Sequence, residues 1–512
     1  MKVNILEGEY WYGSCVKYGM KMPLGGDTEA VIDAVKNRTP NQAMPLWLST
    51  KGRVIWRDTG FRTEFAAGVI TVPDDCSLSD TKGGLREAYL YAASHYFPFR
   101  GRMPARELFE KIIYNTWIEL TFYQNETDVM EYAHKLIASG MPSGVLMIDD
   151  GWSEYYGDWR FHSGKFQNPK EMLERLHNLG YEVMLWVCPY ISADSVKYRE
   201  AEKLGLLIKN KAGEPYIAKW WNGYSAVLDF SNPAAGAWLK EQLDALCALG
   251  VDGFKFDAGD SLYYEEDNVT YGNVTPDEQS RLWAEFGEQY AFNEYRVTFR
   301  AGGYALLQRL CDKEHSWGEN GLASLVPDLL LQGITGHPYG CPDMIGGGEY
   351  LNFQEMAEGA LDEELFVRHA EIAALAPAMQ FSAAPYRVLS EENFLAIKKS
   401  IKVREKYLPY LLELIGQSAH TGEPVIRYMA YEFKDVEAQT CTDQFMLGDR
   451  YLVAPVVKKG AHGRTVYLPR GNWERSGETV RSKGENVYAQ SEYGEPVIFT
   501  RLPVGQSEND ET

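Results

Sequence analysis

Aspartate stands directly after several short apolar runs of this 512-residue chain. Asp149 and Asp150 follow one run, Asp257 ends another, and Asp312 and Asp343 follow two later ones. A single aspartate in such a place can be an ordinary turn residue. If the runs are parallel strands of one sheet, however, the carboxylates gather at one edge, where they could do acid–base and nucleophilic chemistry. Two carboxyl groups in different protonation states are what cleavage of a glycosidic bond requires.

Asp257 is the strongest candidate nucleophile. Lys255 precedes it by two residues in the segment Gly253-Phe-Lys-Phe-Asp257, so both side chains project from the same side of an extended strand. The ammonium group could keep Asp257 ionised, or it could bind a substrate hydroxyl. The structural alternative is a lysine whose head group reaches solvent at the strand end.

Six tryptophans follow predicted strand ends, where an aromatic face could pack against the CH groups of a sugar. They are Trp152, Trp159, Trp186, Trp220, Trp221 and Trp317. Each could instead be a core residue, and we expect about half of them to contact sugar. Arg300 ends the fifth predicted strand and could hydrogen-bond hydroxyl groups, counter a carboxylate, or form a structural salt bridge.

Two rival chemistries lack their usual signatures. The nine histidines form no His-x-His or His-Glu-x-x-His motif, and the acidic residues lack the spacing of a calcium loop. The sequence also has no Gly-x-Ser-x-Gly motif. We therefore predict no catalytic metal, no other cofactor and no serine nucleophile.

Between residues 105 and 418, short apolar strands alternate with amphipathic helices, which predicts an α/β fold with a (β/α)8 TIM barrel. The predicted strands are Thr116–Thr121, Gly144–Asp149, Glu182–Cys188, Gly253–Asp257, Arg296–Arg300, a run ending near Cys311-Asp312, a run around Gly336–Gly340, and Ala378–Phe381. Predicted helices include Glu126–Ala138, Pro169–Leu179, Pro233–Leu249 and Asn320–Gly333. An open doubly wound sheet is the alternative, but its glycine-rich dinucleotide loop is missing. In a barrel, the strand-end aspartates all face the active-site end.

The flanking segments are rich in short β-branched runs bounded by Gly, Pro and Asp. Residues 1–104, with Arg53–Trp56 and Gly68–Val72, predict an N-terminal β-domain. Residues 419–512, with Tyr451–Val457 and Arg464–Pro469, predict a C-terminal β-sandwich. The chain is thus expected to form three domains, with the barrel at 105–418.

The charge and composition of the chain indicate which kinds of binding partner are improbable. The net charge of −21 and pI of about 5.0 disfavour nucleic acid as a partner. The sequence has no uncharged apolar run of about 18 residues, so no membrane span is expected. The first residues lack a secretory signal and the seven cysteines are scattered, which favours a cytoplasmic location. The sequence is also compatible with a homo-oligomer.

Over nearly its whole length, the chain resembles family 31 glycoside hydrolases. The most specific likeness lies in Asp443–Val456 and Gly463–Trp473, which resemble the family's C-terminal sandwich. Near the start of the chain, Trp11-Tyr-Gly13 and Pro45–Ser49 resemble a shortened form of the family's N-terminal β-domain. Gly253–Asp260 matches the strand that carries the family's nucleophile. The resemblance implies that Asp257 attacks the anomeric carbon and that the reaction retains anomeric configuration.

The resemblance also implies a proton donor. The family carries it as an aspartate shortly before a tryptophan and a helix, a context matched here by Asp312, ahead of Trp317. The chain has Arg309-Leu-Cys-Asp312 where the family has Trp-x-Gly-Asp, which leaves Glu314 and Glu319 as alternatives. Asp343 resembles the aspartate that supports the site from the loop of strand seven.

Further departures resemble the α-galactosidase-like branch of the family. Lys255-Phe-Asp257 replaces the glucosidase pattern that ends in Asp-Met-Asn-Glu, and Asp149-Asp150-Gly-Trp152 resembles the motif by which related galactosidases bind the axial O4 and O6 of galactose. Gln380–Pro385 stands where glucosidases have Arg-x-His. The expected substrate-site residues are Asp149, Asp150, Trp152, Trp186, Trp220, Lys255, Arg300, Trp317 and Asp343.

The sequence thus predicts an exo-acting, retaining α-galactosidase that acts on an α-linked oligosaccharide or glycoside. The alternatives are an α-glucosidase, an α-xylosidase or another α-glycosidase on the same scaffold, and a catalytically inactive sugar-binding homologue.

Overall fold

A computed structural model describes residues 1–354 and 361–503. Its centre is a ring of parallel strands, Ile113–Asn115, Val145–Ile148, Glu182–Val187, Gly253–Phe256, Phe292–Tyr295, Leu307–Arg309, Gly340–Cys341, Met344–Ile345 and Gln380–Phe381. The segment Gly340–Cys341 pairs with the sixth strand, and Met344–Ile345 pairs with the last. The two segments are halves of one interrupted seventh strand, so the ring closes as the predicted eight-stranded barrel.

Helices surround the barrel strands. They are Glu107–Glu110, Trp117–Leu120, Glu126–Ala138, Pro169–Asn178, Val196–Lys203, Pro233–Leu249, Pro276–Gly287, Leu325–Ile334, Leu351–Gln354, Glu363–Ala373, Pro385–Val388 and Glu391–Thr421, with 3₁₀ turns at Ser261–Tyr263 and Leu322–Ser324. The last long helix continues past residue 418, the predicted domain boundary.

Local capping explains why two predicted helices have the expected bounds. The side chain of Asn125 accepts a hydrogen bond from the backbone N–H of Asp128 at the start of Glu126–Ala138. Asn232 caps Pro233–Leu249 in the same way, with proline at the first helical position. The helix predicted to begin at residue 320 begins instead at Leu325, after a 3₁₀ turn.

Two predicted barrel strands were wrong. The first strand is Ile113–Asn115, and most of the predicted Thr116–Thr121 is a helical turn, because the side chain of Asn115 accepts a hydrogen bond from the N–H of Trp117 and turns the chain. The fifth strand is Phe292–Tyr295 and not Arg296–Arg300. Its central residues are polar, whereas the β-branched run after it pairs with the N-terminal region through Ala43.

The N-terminal region contains two antiparallel sheets. One has the strands Lys2–Asn4, Val69–Thr71, Arg62–Ala66 and Ala30–Asp33, and the other has Trp11–Cys15, Ala43–Ser49, Arg53–Trp56 and Ser77–Asp80. The 3₁₀ turn Val16–Lys21 and the helix Leu85–Tyr96 complete the region. Its apolar side chains share one buried cluster with barrel helices, so the two regions pack as one core.

The C-terminal region is also antiparallel. A six-stranded sheet contains Ile426–Arg427, Phe445–Leu447, Tyr451–Ala454, Val497–Leu502, Gly471–Arg475 and Glu478–Ser482, and a second sheet pairs Gly463–Leu468 with Glu485–Gln490. Short connections hold Met429–Glu432 and the 3₁₀ turn Glu437–Gln439. The two sheets enclose a small core around Trp473, as expected for a β-sandwich. Residues 504–512 of the predicted domain lie outside the described residues.

Two small sheets stand beyond the barrel strands. Ser153–Tyr155 pairs with Asp158–Phe161 after the second strand, and Tyr190–Ile191, Gly223–Val227 and Ile217–Trp220 form a three-stranded sheet after the third. All seven cysteines are described, and all are unpaired. In the described ranges, no helix has the length and apolarity that a membrane crossing needs.

Candidate active site

One cavity of about 440 Å³ opens where the barrel strands end. Its charged lining residues are Arg38, Asp149, Asp150, Lys255, Asp257, Asp260, Arg296, Asp312 and Glu349, and its aromatic ones are Trp117, Trp186, Trp221, Tyr263 and Tyr350. Carboxyl groups outnumber cations in this lining. Each carboxyl must therefore be neutralised by a partner, protonated or left open to solvent.

Both carboxylate oxygens of Asp257 are held by donors. Oδ1 accepts from Nε of Arg296 at 3.1 Å, and Oδ2 accepts from Nε1 of Trp186 at 3.0 Å and lies 3.9 Å from Nζ of Lys255. Burial by itself raises the pKa of this carboxyl, but the positive charges of Arg296 and Lys255 outweigh it and hold the pKa well below its usual range. Asp257 is therefore an anion, as an attacking carboxylate must be.

The guanidinium of Arg296 joins Asp257 to Asp260. Nη1 and Nη2 of Arg296 donate to the two carboxylate oxygens of Asp260 at 3.1 and 2.8 Å. Nη1 also donates to the backbone carbonyl of Pro40 at 2.8 Å, and the guanidinium lies 5.3 Å from the ring centroid of Trp221. Because a bidentate carboxylate fixes an arginine in one orientation, Asp260 holds Arg296 against Asp257.

Lys255 is shared between two aspartates. Its Nζ donates to Oδ2 of Asp149 at 2.7 Å, which is closer than its approach to Asp257. Nδ2 of Asn115 donates to the same oxygen at 2.7 Å. Burial by itself lowers the pKa of Lys255, but the adjacent Asp149 raises it above its ordinary value. The lysine thus carries a charge that links the ends of the second and fourth strands.

Asp150 differs from Asp149 in its partners. Its Oδ2 accepts from the hydroxyl of Tyr156 at 3.0 Å and from Nδ2 of Asn222 at 2.7 Å. Its Oδ1 is buried and has no hydrogen-bond partner among the described residues. Burial, reinforced by the charge of Asp149, raises the pKa of Asp150 to about 7. Within the described ranges, one oxygen of this cavity-lining carboxyl therefore lacks the hydrogen-bond partner that a buried oxygen normally has.

Asp312 is the most exposed of the paired strand-end aspartates, with 42% of its side chain accessible. Nη1 of Arg309 donates to its Oδ1 at 2.7 Å and also to Asp343. The backbone N–H groups of Lys313 and Gly348 donate to Oδ2 of Asp343 at 2.8 and 2.9 Å. Asp343 lies behind the cavity lining, where it holds Arg309 and the chain after Asp312 in position.

Arg309 is almost fully buried and serves three carboxylates. Besides Asp312 and Asp343, it lies 3.3 Å from the buried Glu294, whose pKa is raised by burial even though Arg309 acts to lower it. Arg309→Met would leave these groups without a counter-charge, which costs about 3–5 kcal/mol of unfolding free energy. We expect a clear fall in Tm, measured by calorimetry. The exposed Arg470→Met should change Tm little, and an equally stable Arg309→Met variant would contradict the ion-pair assignment.

Four tryptophans were predicted to contact substrate, and the structure places one of them, Trp186, in the cavity lining. Trp152 and Trp220 are buried, and each donates its indole N–H to a protein oxygen. Trp317 donates to Asp362, and neither residue lines the cavity. These three rings were misplaced because a strand-end position does not say whether an indole turns toward the cavity or the outer core. Trp221, 46% exposed, does line the cavity.

Arg300 lies outside the cavity, because the fifth strand ends five residues earlier than predicted. Nη1 of Arg300 donates to the backbone carbonyl of Asp58, and the carboxylates of Asp58 and Glu278 both lie 3.6 Å from its guanidinium. The alternatives to Asp312 are also elsewhere: Glu314 and Glu319 are exposed and do not line the cavity.

Several cavity residues escaped the sequence reasoning. Arg296 directly follows the fifth strand as the structure has it, so a correct strand end would have drawn attention to this residue. Trp117 sits in the helical turn that was predicted as a strand. Residues 38–40 come from the N-terminal region, far away in sequence, and no local pattern places them at the barrel.

Comparison with known proteins agrees with this architecture. The sequence profile "Glycosyl hydrolases family 31 TIM-barrel domain" matches residues 107–414, and "Glycosyl hydrolase family 31 C-terminal domain" matches residues 422–504. Among solved structures, a Flavobacterium johnsoniae GH31 dextranase complexed with glucose has a TM-score of 0.82 at 19% identity, covering 98% of this chain and 66% of its own. A GH31 alpha-xylosidase from a soil metagenome, complexed with xylose, has a TM-score of 0.80 at 21% identity, covering 98% and 79%.

Curated proteins of similar sequence also match most of this chain. The mouse myogenesis-regulating glycosidase is 35% identical over 464 residues, which cover 88% of this chain and 63% of that protein. The Escherichia coli sulfoquinovosidase is 26% identical over 70% of this chain and 55% of its own. The chain thus spans less than two thirds of the length of these relatives. With a profile match over more than half of its residues, the chain belongs to glycosyl hydrolase family 31.

Proposed function

We propose that this chain is a retaining, exo-acting α-glycoside hydrolase whose preferred substrate carries a terminal α-galactose. The observation that carries the proposal is the contrast between two carboxyl groups of one cavity. Asp257 is buried and held as an anion by Arg296, Lys255 and Trp186, whereas Asp312 is partly open to solvent. This contrast suits one fixed nucleophile and one group that exchanges protons with leaving group and water.

In the proposed reaction, Asp257 attacks the anomeric carbon while Asp312 gives a proton to the departing glycosidic oxygen. The glycosidic C–O bond breaks and a covalent glycosyl–Asp257 ester forms. Asp312, now ionised, takes a proton from water, and that water cleaves the ester and restores both carboxyl groups. Two inversions at the same carbon give net retention.

The floor of the cavity supports action at a chain end. Asp149 and Asp150 line the cavity and are themselves almost fully buried, so we infer that they form its closed end. A polysaccharide crossing the cavity would need a second opening, whereas a terminal residue fits a closed floor. This geometry supports an exo mode of cleavage.

The same floor supports galactose as the terminal sugar. Asp150 offers a buried oxygen with no partner among the described residues, next to Asp149 and its bound Lys255. The axial O4 of galactose needs a polar partner out of the ring plane, and a site built to bind a hydroxyl penalises an epimer that leaves it unpaired. We therefore propose that Asp149 and Asp150 hydrogen-bond to O4 and O6 of the galactose.

A panel of nitrophenyl α-glycosides tests the proposal. We expect the highest kcat/KM with the α-galactoside, and values at least about tenfold lower with the α-glucoside, α-xyloside and α-N-acetylgalactosaminide. A higher value with the glucoside or xyloside would reject galactose but keep glycosidase activity. Binding of α-galactosides without product formation from any member would instead support the inactive sugar-binding alternative.

Asp150 gives the proposal a pH signature. Because its pKa lies at about 7, the carboxyl ionises as the pH rises through neutrality. The ionised form accepts a stronger hydrogen bond from a sugar hydroxyl, so KM for the α-galactoside should fall about fivefold from about pH 6 to about pH 8. Asp150→Asn should abolish this slope, whereas Asp158→Asn, at a buried carboxylate paired with Arg160, should keep it. A slope that persists in Asp150→Asn would assign it to another group.

A further inference from the structure

A second cavity, of about 240 Å³, lies between the N-terminal region and the barrel. Three arginines line it, Arg100, Arg281 and Arg300, and the single acidic lining residue is Asp58. Arg300 is the residue that the sequence assigned to the active site and that the structure places here instead. The proposed glycosidase reaction uses none of these side chains.

The hydrogen-bonding capacity of one of these arginines is largely filled. Arg281 donates from Nε to Glu278, from Nη1 to Glu285, and from Nη1 to the hydroxyl of Tyr304 at 2.9 Å. Nη2 is also within 2.7 Å of Glu278. Arg281 thus serves as a fixed structural ion pair, and its positive charge is already compensated.

Arg300 and Arg100 are different. The one hydrogen bond of the Arg300 guanidinium within the described ranges goes to a backbone carbonyl, and its carboxylate neighbours Asp58 and Glu278 both stand off at 3.6 Å. Arg100 contacts Glu288 at 3.9 Å and lies over the ring of Tyr304 at 5.6 Å. Both guanidinium groups therefore keep donor edges that no described residue fills.

The acidic residues nearby do not compete for these edges. Glu278 accepts from Arg281, and Glu288 accepts from Arg102 at 2.9 Å. The side chain of Asp58 is largely exposed, so water screens its charge. The cluster as a whole is close to neutral, so attraction of a ligand rests on directed donors and not on a strong net field.

The backbone at Arg300 is strained, which is a second and independent observation. Its φ is 47°, in the left-handed region that residues other than glycine rarely adopt. The backbone N–H of Arg300 donates to the carbonyl of Ala43 at 2.9 Å, and this contact with the N-terminal region fixes the conformation. The fixed backbone sets the position from which the Arg300 side chain enters the cavity lining.

We propose that this cavity binds a phosphate monoester through Arg100 and Arg300. A tetrahedral oxyanion has enough oxygens to accept hydrogen bonds from two guanidinium groups on different segments. The two oxygens of a carboxylate, in contrast, can both be bound by a single guanidinium group. The rings of Tyr96 and Tyr304 line the same cavity and offer apolar surface to a group esterified to the phosphate.

Isothermal titration of the full chain with inorganic phosphate, at low ionic strength and neutral pH, tests this site. We expect saturable binding that weakens at least about fivefold in both Arg100→Gln and Arg300→Gln. Arg106→Gln is the matched control, because Arg106 has nearly the same exposure as Arg100, 56% against 57%, pairs with Glu110 and does not line the cavity. The control should bind phosphate as the unmodified chain does.

Three outcomes would overturn the proposal: no saturable phosphate binding, equal weakening in Arg106→Gln, or displacement of phosphate by neutral galactose. The last outcome would identify the cavity as a sugar site. If Arg300→Gln fails to fold, Arg100→Gln decides alone, since the Arg100 side chain is 57% exposed and its φ is not positive.

Discussion

We expect Asp257→Asn to lower kcat/KM for an aryl α-galactoside by at least about 10⁴-fold, with the fold retained. An amide cannot form the glycosyl ester that the proposed reaction requires at this position. The effect on stability should be small. Arg296 keeps its bidentate partner Asp260, and Lys255 keeps Asp149.

Asp252→Asn is the matched control, because Asp252 stands immediately before the same strand, at the end opposite the cavity. There it accepts a hydrogen bond from the backbone N–H of Val183. This variant should keep activity within about twofold of the unmodified chain. Equal activity losses in the Asp252 and Asp257 variants would point to damage of the barrel and not to loss of a nucleophile.

Added azide gives the Asp257 prediction a stereochemical readout. In Asp257→Ala, azide can enter the space vacated by the carboxylate and displace the leaving group directly. One displacement inverts the anomeric carbon, so an α-galactoside should yield the β-galactosyl azide. The α-galactosyl azide from this variant would show that another residue still forms the covalent intermediate, and would reject Asp257 as nucleophile.

The architecture around Asp257 was predictable because its signals are local. The helix Pro233–Leu249 begins after Asn232 with proline and carries its own cap, and the fourth strand is a short buried run that leads directly into Asp257. The seventh strand gave no such pattern. It consists of two two-residue segments, interrupted at Asp343, where φ is 68°.

The pairing inside the site could not be predicted, because it joins distant segments. Lys255 was expected to act on Asp257, two residues away, yet its nearest partner is Asp149, 106 residues away. Arg296 was predicted to be the first residue of the fifth strand. The observed strand, Phe292–Tyr295, ends just before it and contains the polar residues Asn293 and Glu294. Sequence pattern places a residue at a strand end, but tertiary packing decides which neighbour its charge meets.

The second large effect concerns Asp312. We expect Asp312→Asn to lower kcat/KM for an α-galactosyl disaccharide by about 10²–10⁴-fold, the usual contribution of a general acid. With dinitrophenyl α-galactoside, the leaving group departs without a proton, so kcat/KM should change by less than about tenfold. Its kcat should still fall, because hydrolysis of the glycosyl ester needs Asp312 as base, and a burst of dinitrophenol should precede slow turnover.

Azide should restore this second step, since it attacks the ester without base catalysis. The product in this case should be the α-galactosyl azide, after two inversions, in contrast to the β-azide expected of Asp257→Ala. The same pair of variants thus separates the two roles by product anomer as well as by rate. A rise in kcat with azide but without α-azide formation would contradict the assignment.

Variants of three carboxylates near Asp312 in the sequence or structure serve as controls for its proposed role as proton donor. Glu314→Gln and Glu319→Gln should change kcat/KM little on either substrate, because both side chains are exposed and lie outside the cavity lining. Asp343→Asn should reduce activity through Arg309, which it shares with Asp312, but equally for both leaving groups and without azide rescue. If leaving-group dependence and azide rescue appear instead in Glu314→Gln, that residue is the proton donor and Asp312 is not.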